Sequence, residues 1–101
     1  MKLMSITEST HTDKKLMAVF MDTCPRSGRV CKKTTHFGAA GADDYTLTGD
    51  KEQRARYRQR HAKDLDTQDP TRAGFLSYYI LWGDSTSRAK NIADYKARFH
   101  L

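Results

Sequence analysis

Lys15-Leu16-Met17-Ala18-Val19-Phe20-Met21 is the most apolar run in the first half of the chain, and its reading decides the fold. An apolar run of this length bounded by turn residues is consistent with a central strand. On its N-terminal side Ser9-Thr10-His11-Thr12-Asp13-Lys14 supplies turn chemistry, and Lys2 to Thr7 before it alternates apolar with polar. On its C-terminal side Pro25-Arg26-Ser27-Gly28 reads as a loop, after which Val30 to Phe37 returns as a third strand. The first forty residues therefore predict a three-stranded antiparallel meander. Such a sheet alone exposes an apolar face, so other elements must cover it.

Gly38-Ala39-Ala40-Gly41-Ala42 breaks the pattern and leads into Asp43-Asp44-Tyr45-Thr46, after which the chain reads as helical. Asp50 is a good N-cap for a helix from Lys51 to about Leu65. Its packing stripe is Tyr57, His61 and Leu65, with Arg56, Arg60 and Lys63 on the opposite side. Asp69-Pro70 is a second start signal, with Asp as N-cap and Pro at the first helical position. The segment Ala73 to Trp82 carries no charge and is apolar or aromatic nearly all round, which predicts burial on several sides. Gly83 stops it, and Ser85 is expected to cap a last helix reaching Phe99, with Ala89, Ile92, Tyr95 or Lys96, and Phe99 as its stripe. The expected fold is α+β: a small three-stranded antiparallel sheet followed by two or three packed helices. Residues 1–101 form one expected domain, with the meander in 1–38 and the helical part in 50–101.

At 101 residues and 38% apolar content the core must be small. Lys and Arg number 18 against 12 Asp and Glu, a net charge of +6, which points to anionic partners or acidic protein surfaces. The excess is uneven: residues 1–50 hold 7 basic and 6 acidic groups, residues 51–101 hold 11 and 6. No stretch approaches the roughly 18 apolar residues of a membrane span, and the opening residues lack the apolar core of a signal peptide. Two cysteines, Cys24 and Cys31, are too few for a disulfide scaffold and fit a reducing compartment, so free thiols are the expected state, with a cross-hairpin disulfide the alternative if the protein is exposed to oxidant.

Thr35-His36-Phe37-Gly38, Asp44-Tyr45-Thr46, Arg54-x-Arg56-Tyr57-x-x-Arg60-His61, Asp69-Pro70-x-x-Ala73-Gly74-Phe75-x-Ser77 and Leu81-Trp82 form a jointly spaced set. With the runs Lys15 to Phe20 and Ile92 to Phe99, this set resembles a family of small, functionally uncharacterised proteins found chiefly in large DNA viruses of algae and other protists. The chain departs from that pattern in the turn Thr23 to Arg29 and in Gly83-Asp84-Ser85-Thr86 after the Leu-Trp pair, both connections. The resemblance implies a viral setting and packaging into the virion. It assigns no activity and no roles to the motif residues His36, Gly38, Asp44, Tyr57 and His61.

Several constellations carry chemistry in principle. His36 and His61 could act as a base or metal ligands, with Asp43 or Asp44 as orienter. No nucleophile or second base accompanies them at a recognisable spacing, so packing roles are preferred, His36 bonding the glycine loop and His61 on the helix's packing face. Cys24, Cys31, His36 and His11 could supply four zinc ligands, but the cysteine spacing is too wide for the usual close pair, and no metal or cofactor is expected. Arg54, Arg56, Arg58 and Arg60 alternate along one helix. Arg54 and Arg58 are expected to pair with Asp43, Asp44 or Asp64, leaving the outer ones for phosphates or a partner. Phe75, Tyr78, Tyr79 and Trp82 form an aromatic cluster for the core or an interface. The expected function is non-enzymatic. It is that of a small virion component, a minor capsid or internal structural protein, found in the virion and, during assembly, in the host cytoplasm or nucleus. Its binding face for other virion or capsid proteins would use Arg56, Arg60, Lys63, Arg88 and Arg98. The alternative is a basic, sequence-independent nucleic-acid-binding protein that coats or condenses the genome.

Overall fold

The alternation of the first forty residues produces three strands, β1 (Lys2–Glu8), β2 (Lys14–Thr23) and β3 (Val30–Ala39). They pair antiparallel in the order β1-β2-β3. The computed structural model describes residues 1–23 and 28–101. Of the loop expected at 25–28 only Gly28 is therefore described, and Cys24 lies outside the described residues.

Register decides which side chains share a face. Leu3 pairs with Phe20 and Ile6 with Ala18, while Phe20 faces Lys33, Ala18 faces Thr35 and Leu16 faces Phe37. Leu3 and Ile6 reach the same face although one is odd and the other even, because the register shifts between Leu3 and Ser5. That bulge inserts an extra residue and re-aims the chain. Leu16, Ala18 and Phe20 are buried, while Met17, Val19 and Met21 alternate with them on the opposite side and are only half-buried.

Helices cover the first of these faces. They are α1 (Tyr45–Thr48), α2 (Lys51–His61), α3 (Ala73–Leu76) and α4 (Arg88–Phe99). A 3-10 turn at Ala62–Thr67 follows α2, and α3 runs on into a wider π turn at Ser77–Leu81, whose Trp82 amide bonds the Ser77 carbonyl. The fold is thus the α+β arrangement expected, with four helices where two or three were read. The addition is the short α1, capped by Asp44 accepting from the Thr46 amide and closed by Gly49 in the left-handed region. Phe75, Leu76, Ile80, Leu81 and Trp82 join Leu3, Leu16, Ala18, Phe20, Phe37, Tyr45 and Tyr95 in one core. Full burial of each large apolar side chain stabilises by roughly 1.5–3 kcal/mol, so the uncharged segment after Ala73 is the centre of the fold.

Four local expectations are corrected. Asp69 does not cap a helix at Pro70: its carboxylate accepts from the amide and hydroxyl of Thr71, closing a turn, and α3 starts at Ala73. Ser87, not Ser85, caps α4, accepting from the Lys90 amide, while the Ser85 hydroxyl accepts from the Ser87 amide and the Ser85 backbone bonds the Asn91 side chain. Ala89 is exposed, and Asn91, Ile92, Tyr95 and Phe99 form the inward side of α4. Cys31 is disulfide-bonded rather than a free thiol, which also removes it from any thiolate metal set.

Candidate functional site

Asp44 anchors a densely bonded polar cluster. Its carboxylate is 1% exposed and takes the Lys15 ammonium at 2.6 Å and the Arg88 guanidinium at 3.3 Å. The Thr46 hydroxyl donates to its other oxygen, and Arg88 Nε donates to Thr46 Oγ1 at 2.9 Å. Burial pushes the Asp44 carboxyl up, but the bonds from Lys15 and Thr46 and the charges of Lys15 and Arg88 outweigh it and hold the group below the usual carboxylate range. A buried carboxylate bound this way ties β2, α1 and α4 together.

Beside this cluster lies a cleft of about 390 Å³ between the segment after β3 and α2, within the roughly 300–1,000 Å³ usual for ligand sites. Gly38, Ala39, Ala42 and Asp43 line one side, Gln53, Tyr57, Arg60 and His61 the other, and Ser77, Leu81 and Trp82 also line it. Gly38 is in the left-handed region, and a Cβ there would stand 2.7 Å from Leu81 Cδ1, so only glycine lets β3 pass this close. Tyr57 is stacked on both sides, by His61 with ring centroids 4.1 Å apart and by Trp82 at 4.3 Å. Burial, offset in part by a bond with Ser77, raises the Tyr57 phenol above its ordinary value. His61 Nδ1 lies 3.0 Å from Asp64 Oδ2, so Asp64, not Asp43 or Asp44, is its polar partner.

The motif positions therefore divide. Gly38, Asp44, Tyr57 and His61 come together on the cleft. His36 does not: its Nδ1 lies 2.7 Å from Ser9 Oγ and its ring stacks on His11 at 3.6 Å, pinning the β1–β2 turn rather than the glycine loop. Among the described residues no group of three or more His, Cys, Asp or Glu side chains can hold a metal ion.

The cationic candidates divide as well. Arg56, Arg60 and Lys63 are exposed and make no ion pair among the described residues. Arg88 is committed to Asp44 and Thr46, and Arg98 lies over the Tyr79 ring at 5.0 Å. Arg54 and Arg58 brace the fold as their spacing suggested, but through Asp84, at 2.6 and 3.4 Å. Arg54 Nε also donates to the Gly83 carbonyl, and Arg58 covers Tyr78 at 4.3 Å. The aromatics separate by depth: Phe75 and Trp82 are buried, Tyr78 and Tyr79 half-buried under Arg58 and Arg98. Sequence reading missed Lys15, Gln53, Ser77 and Asp84. Lys15 and Ser77 stood within quoted blocks but without a role, since each acquires its role from a neighbour remote in the chain or from the way the helices pack.

No helix among the described residues is long and apolar enough to cross a membrane. No curated protein and no solved structure matches the chain. One family model does, over residues 4–61, which spans β1 through α2 and so includes Gly38, Asp44, Tyr57, Arg60 and His61. With more than half of its length matched, the chain belongs to a family of unknown function (DUF5754).

Proposed function

We propose that this protein is a non-enzymatic interaction module of a large DNA virus, a small virion component, minor capsid or internal structural, that docks on acidic surfaces of neighbouring proteins. The observation that carries the reading is the division of labour on α2 and the turn after it. Arg54 and Arg58 are held by Asp84 and Gly83, whereas Arg56, Arg60 and Lys63 face outward with no carboxylate among the described residues. Unpaired cations at i, i+4 and i+7 form one positive row, and such rows steer and orient acidic partners. The non-enzymatic part rests on the separation of the two histidines. His36, bonded to Ser9 and stacked on His11, sits at the β1–β2 turn away from the cleft, and His61, which lines the cleft, is held by Tyr57 and Asp64 with no serine or cysteine bonded to it among the described residues.

Stepwise opening of purified particles, with mass spectrometry of each fraction, tests the proposal. Release with the shell or with an internal protein layer, at a fixed ratio to its neighbours, is expected. Absence from particles contradicts it. The same cations favour a second reading, sequence-independent binding of nucleic acid. Three phosphate contacts would give a slope of log affinity against log salt of about −2.7, and retention with the genome until high salt would select this reading.

A further inference from the structure

We infer that the cleft beside α2 is a docking groove for an acidic segment of a partner protein, in which an apolar side chain enters the cleft while carboxylates lie along Arg56, Arg60 and Lys63. The inference rests on the protein-interaction reading above and names the part of the surface that acts. Its shape is the first argument. Small residues, Ala39 and Ala42, face the aromatic wall of Tyr57 and His61 across a space of about 390 Å³, with Leu81 and Trp82 among its lining. Such a slot accepts one apolar side chain together with its backbone.

Charge is the second argument. Lys15 is spent on Asp44, and His61 Nδ1 on Asp64, but Arg60 lines the cleft, is exposed and has no carboxylate among the described residues. Arg56 lies one turn before it on the same side and Lys63 nearly one turn after. Asp43 lines the opposite side of the cleft, so carboxylates of the occupant are directed to the α2 side. Base recognition by stacking needs an open ring face; both faces of Tyr57 are already covered, by His61 and by the buried Trp82, which leaves the outer face of His61 as the one stacking surface of this stack.

The test uses the full chain labelled with 15N and a blocked synthetic peptide alternating glutamate with leucine. The controls are the same peptide with glutamine for glutamate, and a short oligothymidylate. Saturable shifts of the Ala39, Ala42 and His61 amides and of the Trp82 indole are expected with the glutamate peptide. Arg60→Glu and Ala42→Phe are each expected to weaken binding by about tenfold, a change of roughly 1.4 kcal/mol, whereas Lys96→Glu, an exposed site on α4 outside the cleft, leaves it unchanged. Both cleft positions are exposed, and unchanged amide spectra elsewhere verify that the variants fold. No shift at the cleft, equal binding of the glutamine peptide, indifference to both cleft variants, or tighter binding of oligothymidylate at the same residues would each overturn the inference. Failure of the interaction reading is distinguishable, because that reading is decided by the protein's place in the particle. A particle-bound protein whose Arg56, Arg60 and Lys63 meet acidic protein while the cleft stays empty would keep that reading and remove this groove.

Discussion

Asp44 shows how a single residue can be singled out by sequence while its role stays hidden. It stood in a short motif as a possible histidine orienter, but its partners Lys15 and Arg88 are 29 and 44 residues away, a tertiary fact with no local trace. Asp44→Asn leaves two cations facing a neutral group in a buried site, and a loss of about 3–5 kcal/mol is expected from urea unfolding. The pH dependence follows from direction alone. The folded-state pKa of Asp44 lies below its unfolded value, as does that of Asp69, held down by the hydroxyl and amide of Thr71. Their contributions are complete above the unfolded values and are lost as pH falls through about 4 toward the lower folded ones. Thermal melts from pH 7 to pH 2 should therefore show a steep loss below pH 4, with a shallower loss in Asp44→Asn. Gly83 is equally exacting. A Cβ there would meet the Tyr79 carbonyl at 2.2 Å and Asn91 Cγ at 2.8 Å, so Gly83→Ala should cost about 1–3 kcal/mol. A melting temperature unchanged by that substitution would contradict the packing described.

At the scale of elements, much of the fold was legible because local chemistry and tertiary demand agreed. The apolar run Leu16 to Phe20 is the central strand, Asp50 caps α2 by accepting from the Glu52 and Gln53 amides, and the segment after Ala73 fills the core. Legibility failed where two residues offered the same chemistry. Ser85 and Ser87 are both competent caps, and what decides between them is Asn91, whose side chain takes the Ser85 backbone and leaves Ser87 at the helix start. Removing the true cap, Ser87→Ala, should destabilise by about 1 kcal/mol by calorimetry. Helix α1 was missed because its four residues carry no periodic stripe, and the π turn because a five-residue spacing leaves no compositional mark. Asp69-Pro70 failed as a start signal because Thr71, bonded to Lys33 and Thr35 of β3, fixes that stretch as a turn against the sheet.

Across the whole molecule, charges that hold the fold are separate from charges left facing outward. Arg54→Ala removes bonds to Gly83 and Asp84 and should lower stability by about 1 kcal/mol, with partner binding retained by the folded fraction. Arg56→Ala and Arg60→Ala should do the reverse, leaving the melt unchanged and weakening association in a salt-dependent way. The sequence showed the net charge and the outward set on α2 but could not show that Arg88 is consumed by Asp44, since that pairing is made by folding. The central claim is that the outward face of α2 and of the turn after it meets acidic protein. Cross-linking of intact particles with a carboxyl-to-amine reagent, read by mass spectrometry, tests it most directly. The account predicts recurrent links from Lys63 to Asp or Glu residues of one neighbouring protein, which do not form when the reagent is added at high salt. Particles in which the protein is present but Lys63 links to no carboxylate of another chain would contradict it.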